Sequence, residues 1–315
     1  MFRNLILPAC TPAFISACLL ATSAAADLRV IALGDMPYGP PAQTYPAFEA
    51  LIGEINEAEP DLVIHVGDIR GGKTTCEDAI IDKQRVYMDQ IDAPVLYTPG
   101  DNEWTDCHRK KLGDFKPMER LNHIRATFFD DPAQSLGATP IKVFHQGQDG
   151  FPENTRLRMK DILIFTLHVV GSEDGEAREG GVSKADHKAR RRANLAWLSE
   201  SFAQAGGAKA VIVAMHADMF RGKGFKTKKQ KWKGGSAFEE IGEALADAVV
   251  AFGKPVLLLY GDGHEYTVTQ PLSKTAPNLM AVEVYGAKDM HAVEITVTGD
   301  HPQMFLNKVT NPALR

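Results

Sequence analysis

The chain has 315 residues, 44% of them hydrophobic and 24% charged. This is the composition of a globular protein with a sizeable core, and it excludes a disordered or fibrous chain. The net charge of −5 gives no bulk electrostatic reason to expect a nucleic-acid partner.

The first 26 residues predict a targeting segment. Arg3 supplies a positive charge, a mostly apolar stretch runs from Leu5 to Ala21, and Ala24 and Ala26 fit the small-x-small rule for cleavage after Ala26. Lipoprotein processing at Cys18 is the alternative. The apolar run is short and broken by Pro8 and Pro12, which argues against a membrane anchor, and no later run is long enough to span a bilayer. The expected mature protein, residues 27–315, is therefore periplasmic or secreted. Cleavage removes Cys10 and Cys18. The remaining pair, Cys76 and Cys107, is expected to form a disulfide in an oxidising compartment.

From residue 28 the pattern alternates between strand and helix. LRVIALG (28–34), DLVIHVG (61–67) and APVLYTPG (93–100) read as strands, with helical spacing over 44–56, 76–91 and 118–129 between and after them. Residues 157–168 predict two strands around a turn at Lys160-Asp161. A long amphipathic helix follows over 183–206, then a strand (208–216), a helix (238–252), a strand (254–261) and an all-β tail. The β-α-β rhythm argues for a mainly parallel sheet buried between helices. No repeat, linker or boundary is visible, so residues 27–315 read as one domain. The Lys-rich segment 221–235 reads either as a solvated loop or as an electrostatic lip beside a site.

Five strands end in a residue able to bind a metal. Gly34-Asp35, Gly67-Asp68 and Gly100-Asp101 end the first three, His216 ends VIVAM, and Gly261-Asp262-Gly263-His264 ends VLLLY. In an open α/β sheet such strand ends line the ligand crevice. Converging aspartates repel and do not stay ionised without a countercharge, which a divalent cation supplies. Mixed Asp and His donors suit Mn, Fe, Zn or Mg.

In order and spacing these turns resemble the motifs of the calcineurin-like metallophosphoesterase superfamily, which includes purple acid phosphatases. The family pattern runs GDxH, GDxxD, GNH followed by an acid, a strand-end His, and GHxH. This chain offers GDMP (34–37), GDIR (67–70), GDNE (100–103), AMH (214–216) and GDGH (261–264). The resemblance implies an α/β fold, a four-layer α/β/β/α sandwich, with two divalent metals. It further implies a phosphate ester substrate, mono- or diester, attacked by a metal-bound hydroxide. Carried over residue by residue, it implies Asp35, Asp68 and His264 for one metal, and Asp68, Asp101, His216 and Asp262 for the other.

Four positions in three of the motifs depart from the pattern. Pro37 replaces a ligand histidine, with Tyr38 or Tyr266 as candidate substitutes. Asp101 stands where an Asn ligand is expected, and Asn102 where a catalytic His is expected. Asp262 replaces the first His of the last motif. In an alternative registration Asn102 is the third-motif ligand and His264 the first His of the last motif. Glu103 or His108 could supply the missing acid, and Arg70 and His168 could bind substrate. His65 reads as a core histidine, Arg70 equally as a surface ion pair, and Trp104 as a packing residue. The other functional class these changes leave open is a catalytically impaired metal-binding protein of the same fold.

Overall fold

Along the first strand, Val30 and Ala32 point one way and Ile31 and Leu33 the other, and all four are buried. A strand covered on both faces belongs inside a layered stack. The computed structural model describes residues 27–176, 180–221, 224–299 and 302–314. The expected targeting segment with Cys18 and Ala26, and His301, lie outside the described residues, as does part of the Lys-rich segment.

The strands are β1 (Leu28–Leu33), β2 (Leu62–His65), β3 (Val95–Tyr97), β4 (Phe144–Gln146), β5 (Phe151–Met159), β6 (Ile162–Thr166) and β7 (Ala210–Ala214). They continue as β8 (Phe225–Lys226), β9 (Lys231–Trp232), β10 (Val256–Tyr260), β11 (Thr267–Thr269), β12 (Leu279–Glu283), β13 (Ala292–Val297) and β14 (Met304–Val309). One sheet has the order β14-β13-β1-β2-β3 and the other β11-β12-β10-β7-β6-β5-β4. The strands β1, β2 and β3 run parallel, as do β6, β7, β10 and β12, and the remaining strands of both sheets add antiparallel edges.

The two sheets pack face to face through Val30, Ile64 and Leu96 on one side and Ile164, Ile212 and Leu257 on the other. The outer face of the first sheet (Ile31, Val63, Tyr97) is covered by the helices Pro41–Glu57, Asp78–Met88 and Pro117–Phe128. The outer face of the second (Phe165, Val213, Leu258) is covered by Lys184–Ala203 and Glu239–Phe252. The molecule is thus the expected α/β/β/α stack, with two mixed sheets where the strand rhythm alone suggested one mainly parallel sheet. No helix among the described residues is long and apolar enough to cross a membrane.

The Lys-rich segment is not the plain solvated loop its composition suggested. β8 and β9 pair as an antiparallel ribbon, and Trp232 and Phe225 are buried against Phe220. Buried aromatics anchor the ribbon while the lysines between them stay exposed. Cys76 and Cys107 form the expected disulfide, at a sequence separation of 31. It joins the loop after β2 to the turn after β3. Replacing both cysteines by serine should lower the unfolding free energy by roughly 3 to 4 kcal/mol from loop-closure entropy. Urea denaturation of the purified variant measures this, and an unchanged midpoint would show that the loops are held without the bond.

Candidate metal centre

The parallel strands of both sheets point the same way, so their carboxyl ends share one edge of the molecule. Asp35, Asp68 and Asp101 follow β1, β2 and β3, while His216 follows β7 and Asp262 follows β10. Turning sharply at a strand end costs backbone strain. Asp35 (φ 54°), Asp68 (φ 57°), Asp262 (φ 71°) and His264 (φ 62°) all adopt the left-handed conformation, at about 1 kcal/mol or more each for a residue with a Cβ. Glycine is needed where backbone meets carboxylate: a Cβ on Gly100 would collide with Asp68 Oδ1, and one on Gly261 with Asp35 Oδ2.

His216 is the centre of the arrangement. It is fully buried, and its Nε2 lies 3.3 Å from Asp68 Oδ1, 3.3 Å from Asp101 Oδ1 and 3.9 Å from Asp262 Oδ1. Its Nδ1 is 2.9 Å from the Val66 carbonyl and donates to it, which turns Nε2 toward the acids. That Nε2 has no hydrogen-bond partner. At the rim, His264 Nε2 is 3.4 Å from Asp35 Oδ1. Potential ligand atoms of Asp35, Asp68 and His216 lie within 4.8 Å of one another, as do those of Asp101, His216 and Asp262. An unpartnered imidazole nitrogen facing several buried carboxylates fits divalent cations, which would satisfy both.

Hydrogen bonds around the acids fix their orientation. Ser172 Oγ donates to Asp101 Oδ2 (2.6 Å), the oxygen turned away from His216. Ser172 begins a run of three left-handed residues, Ser172, Glu173 and Asp174 (φ 54°, 56° and 54°). Arg190 holds the far end of that run through Asp174 (2.5 Å). The Tyr38 hydroxyl donates to Asp68 Oδ2 (2.6 Å), and Asn102 donates its side-chain amide to the same oxygen and to Tyr38 Oη (3.1 Å). Tyr38 thus reaches the cluster through Asp68 and Asn102, whereas Tyr266 stacks on Tyr285.

Burial raises the carboxyl of Asp35 to about 7 and that of Asp262 to about 6, against the opposing charge of His216. Burial also raises Asp68 well above the carboxylate range. Asp101 is different: burial would raise it, but the charge of His216 at 3.3 Å, with the hydrogen bond from Ser172, brings it down to about 2. For His216, burial favours the neutral ring, yet Asp68, Asp101, Asp35 and Asp262 outweigh it and raise its pKa far above the histidine range. In the absence of a cation the cluster therefore takes up protons to offset its own repulsion.

Several expected site residues are placed elsewhere. Glu103 is fully buried, and one oxygen accepts from Asp68 N (3.0 Å), Gly100 N (2.6 Å) and Tyr97 Oη (2.9 Å). It ties two ligand turns together, so it is a positioning residue and not the free acid expected. Arg70 is also buried: its guanidinium donates to the carbonyls of Gly71 (2.7 Å), Thr74 (2.5 Å) and Asn102, so neither a phosphate contact nor a surface ion pair forms. His168 lies in the interior, paired with Glu153 (2.7 Å), and is not a substrate contact. His108 turns Nδ1 to the Thr105 carbonyl (2.7 Å) and makes no hydrogen bond or ion pair with the cluster among the described residues. His65 is the expected core histidine, held neutral as burial lowers its pKa to about 3. Trp104 packs against His168, as expected.

Beside the cluster lies a groove of about 960 Å³, lined on one part by Tyr38, Asp68, Asp101, Asn102, Asp262 and His264 and on another by Lys73, Arg109 and Lys111. Neither Ser172 nor the three basic residues stood out in the sequence. Ser172 follows Gly171, which lies five residues beyond the end of β6, so no strand-end glycine marked it.

The calcineurin-like phosphoesterase family matches residues 28–266 of the chain. No curated protein matches. Among solved structures, the chain is similar to GAP50, described as the anchor in the inner membrane complex of Plasmodium. That similarity has a TM-score of 0.50 at 12% identity, and covers 90% of this chain and 89% of that one. It is similar also to the purple acid phosphatase PPD1 from yellow lupin (Lupinus luteus) seeds, with a TM-score of 0.53 at 13% identity, covering 90% of this chain and 51% of that one. The chain therefore spans about half the length of the lupin phosphatase. Both likenesses concern the fold.

If the cluster binds divalent cations, each ion displaces the protons it now holds. Calorimetric titration of metal-free protein with manganese, in two buffers of different ionisation enthalpy, should show proton release at pH 6.5. Binding should be weaker at pH 5.5 than at pH 7.5, because the Asp35 carboxyl takes up its proton below about 7. His216→Ala should abolish the tight binding; binding that ignores both pH and this substitution contradicts the assignment.

Proposed function

The chain belongs to the calcineurin-like phosphoesterase family, and on that premise we propose that it is an exported, metal-dependent phosphoesterase acting on phosphate mono- or diesters. The observation that carries this reading is the buried, unpartnered His216 Nε2 facing Asp68 and Asp101 at 3.3 Å each. Asp35, Asp68 and His264 are assigned to one cation, and Asp68, Asp101, His216 and Asp262 to the other. When bound, such ions neutralise the charge of a phosphoryl group and make a bound water more acidic.

The chain's own residues then have separate tasks. Asp68 is assigned to both cations and receives hydrogen bonds from Tyr38 and Asn102, which restrain its carboxylate. Ser172 does the same for Asp101. In the metal-free protein burial and the charges of Asp68 and Asp35 raise the Tyr38 pKa, so its hydroxyl is held protonated and donates to Asp68. The carboxylates at Asp101 and Asp262, where the family pattern has neutral donors, favour harder cations such as Mg or Mn.

Export is supported by the composition of residues 1–26 and by the Cys76–Cys107 disulfide, a bond that persists in oxidising compartments. N-terminal sequencing of protein recovered from the periplasm or medium should begin at Asp27. A start at Cys18 would indicate lipoprotein processing.

The second reading, a metal-binding protein that has lost hydrolysis, is favoured by Asn102 and Glu103. The Asn102 amide is not an acid and is hydrogen-bonded to Asp68 and Tyr38, and Glu103 is fully buried and does not line the groove, so neither is placed to protonate a leaving group. Assays on p-nitrophenyl phosphate and bis-p-nitrophenyl phosphate with Mn or Mg separate the two. Turnover that falls about a hundredfold or more in Asp68→Ala supports the enzyme. Bound metal without turnover supports the second reading, and a chain that binds no metal contradicts both.

A further inference from the structure

The groove beside the cluster has a basic wall that the chemistry described so far does not use. Lys73 lies on the loop after β2, and Arg109 and Lys111 lie on the short 3-10 segments after β3. Lys73 and Lys111 are exposed, and neither makes an ion pair with a described residue. Arg109 is braced by Asp106 (2.6 Å).

These loops are distant in sequence and joined in space. The Cys76–Cys107 disulfide links them, and Cys76 N donates to the Leu112 carbonyl (2.9 Å). Arg70 adds a second clamp, donating to Thr74 on one loop and to Asn102 at the base of the other. The wall is therefore held in place before any ligand arrives, which lowers the ordering cost of binding. A chain of net charge −5 places three cationic side chains on one groove, which is also lined by the candidate metal ligands Asp68, Asp101, Asp262 and His264.

We propose that Lys73, Arg109 and Lys111 form a second phosphate subsite, and that the preferred substrate is a phosphate ester carrying a second phosphoryl group. This rests on the phosphoesterase reading. Lysine supplies a point charge to a phosphate and arginine a forked donor. The open groove accommodates the body of the substrate between its two phosphoryl groups.

The test uses two chromogenic diesters with the same reacting bond: the p-nitrophenyl ester of thymidine 5′-phosphate, with and without a 3′-phosphate. The mature, disulfide-bonded protein loaded with manganese should show a KM about tenfold lower for the compound with the 3′-phosphate, the size of one or two exposed charge-assisted contacts. The ratio should collapse to about one in Lys73→Ala/Lys111→Ala, and should shrink as salt is raised from 0.05 to about 0.5 M. These are surface substitutions, and circular dichroism confirms that the fold is kept. Hydrolysis of both diesters with equal KM overturns the subsite and leaves the phosphoesterase standing. Hydrolysis of neither, together with no turnover of p-nitrophenyl phosphate, overturns the phosphoesterase reading, and when neither diester is cleaved calorimetric titration with thymidine 3′,5′-bisphosphate and thymidine 5′-phosphate decides the subsite. Tighter binding of the bisphosphate, lost in the double variant, supports it; equal binding overturns it.

Discussion

Three aspartates buried around one histidine, with a half-buried fourth, at the shared end of two sheets are the constraint from which the rest of the structure follows. Like charges this close, out of water, cannot all stay ionised unaided. The protein accepts that repulsion and builds against it. The α/β/β/α stack brings the two sheet ends together, and cross-sheet contacts lock them. His216 on the second sheet donates to the Val66 carbonyl on the first (2.9 Å), and Thr98 donates to the Leu167 carbonyl (3.2 Å). The backbone enters left-handed conformations at four candidate ligand residues for the same purpose. Strain and repulsion concentrated in one place are characteristic of a site selected for chemistry and not for stability.

The layers were legible because burial on both faces leaves continuous apolar runs such as VIAL and VIVA, and the helices between them keep their own spacing. Strand and helix boundaries came within a few residues. The division into two sheets does not follow from that rhythm, since nothing local in a strand says which neighbour it pairs with. The resemblance supplied it. The Lys-rich ribbon was missed because lysine dominates its composition, while Phe225 and Trp232, which fold it, are only two residues.

At the site, the residues that follow glycine at strand ends were visible because the turn itself leaves a mark. Asp35, Asp68, Asp101, His216, Asp262 and His264 come together in the structure. Arg70, Glu103 and His168 carry the same chemical types in the same neighbourhood, but point into the protein. Side-chain direction at a turn depends on contacts made by distant segments: Arg70 on Asn102, Glu103 on Asp68, His168 on Glu153. No window of sequence contains those pairs. Likewise, the basic wall is assembled from position 73 on one loop and 109 and 111 on another, which meet through the disulfide, the Cys76–Leu112 backbone hydrogen bond and Arg70.

The single oxygen of Glu103 that accepts from Asp68 N, Gly100 N and the Tyr97 hydroxyl has a consequence for substitution at the site. It holds backbone, and so fixes where the ligand positions are without regard to which side chains occupy them. Exchange of asparagine for aspartate, or histidine for aspartate, alters charge and metal preference while the turns keep their shape. In this chain the positions of the ligand turns are therefore set by backbone hydrogen bonds that a substitution at Asp68 or Asp101 would not remove.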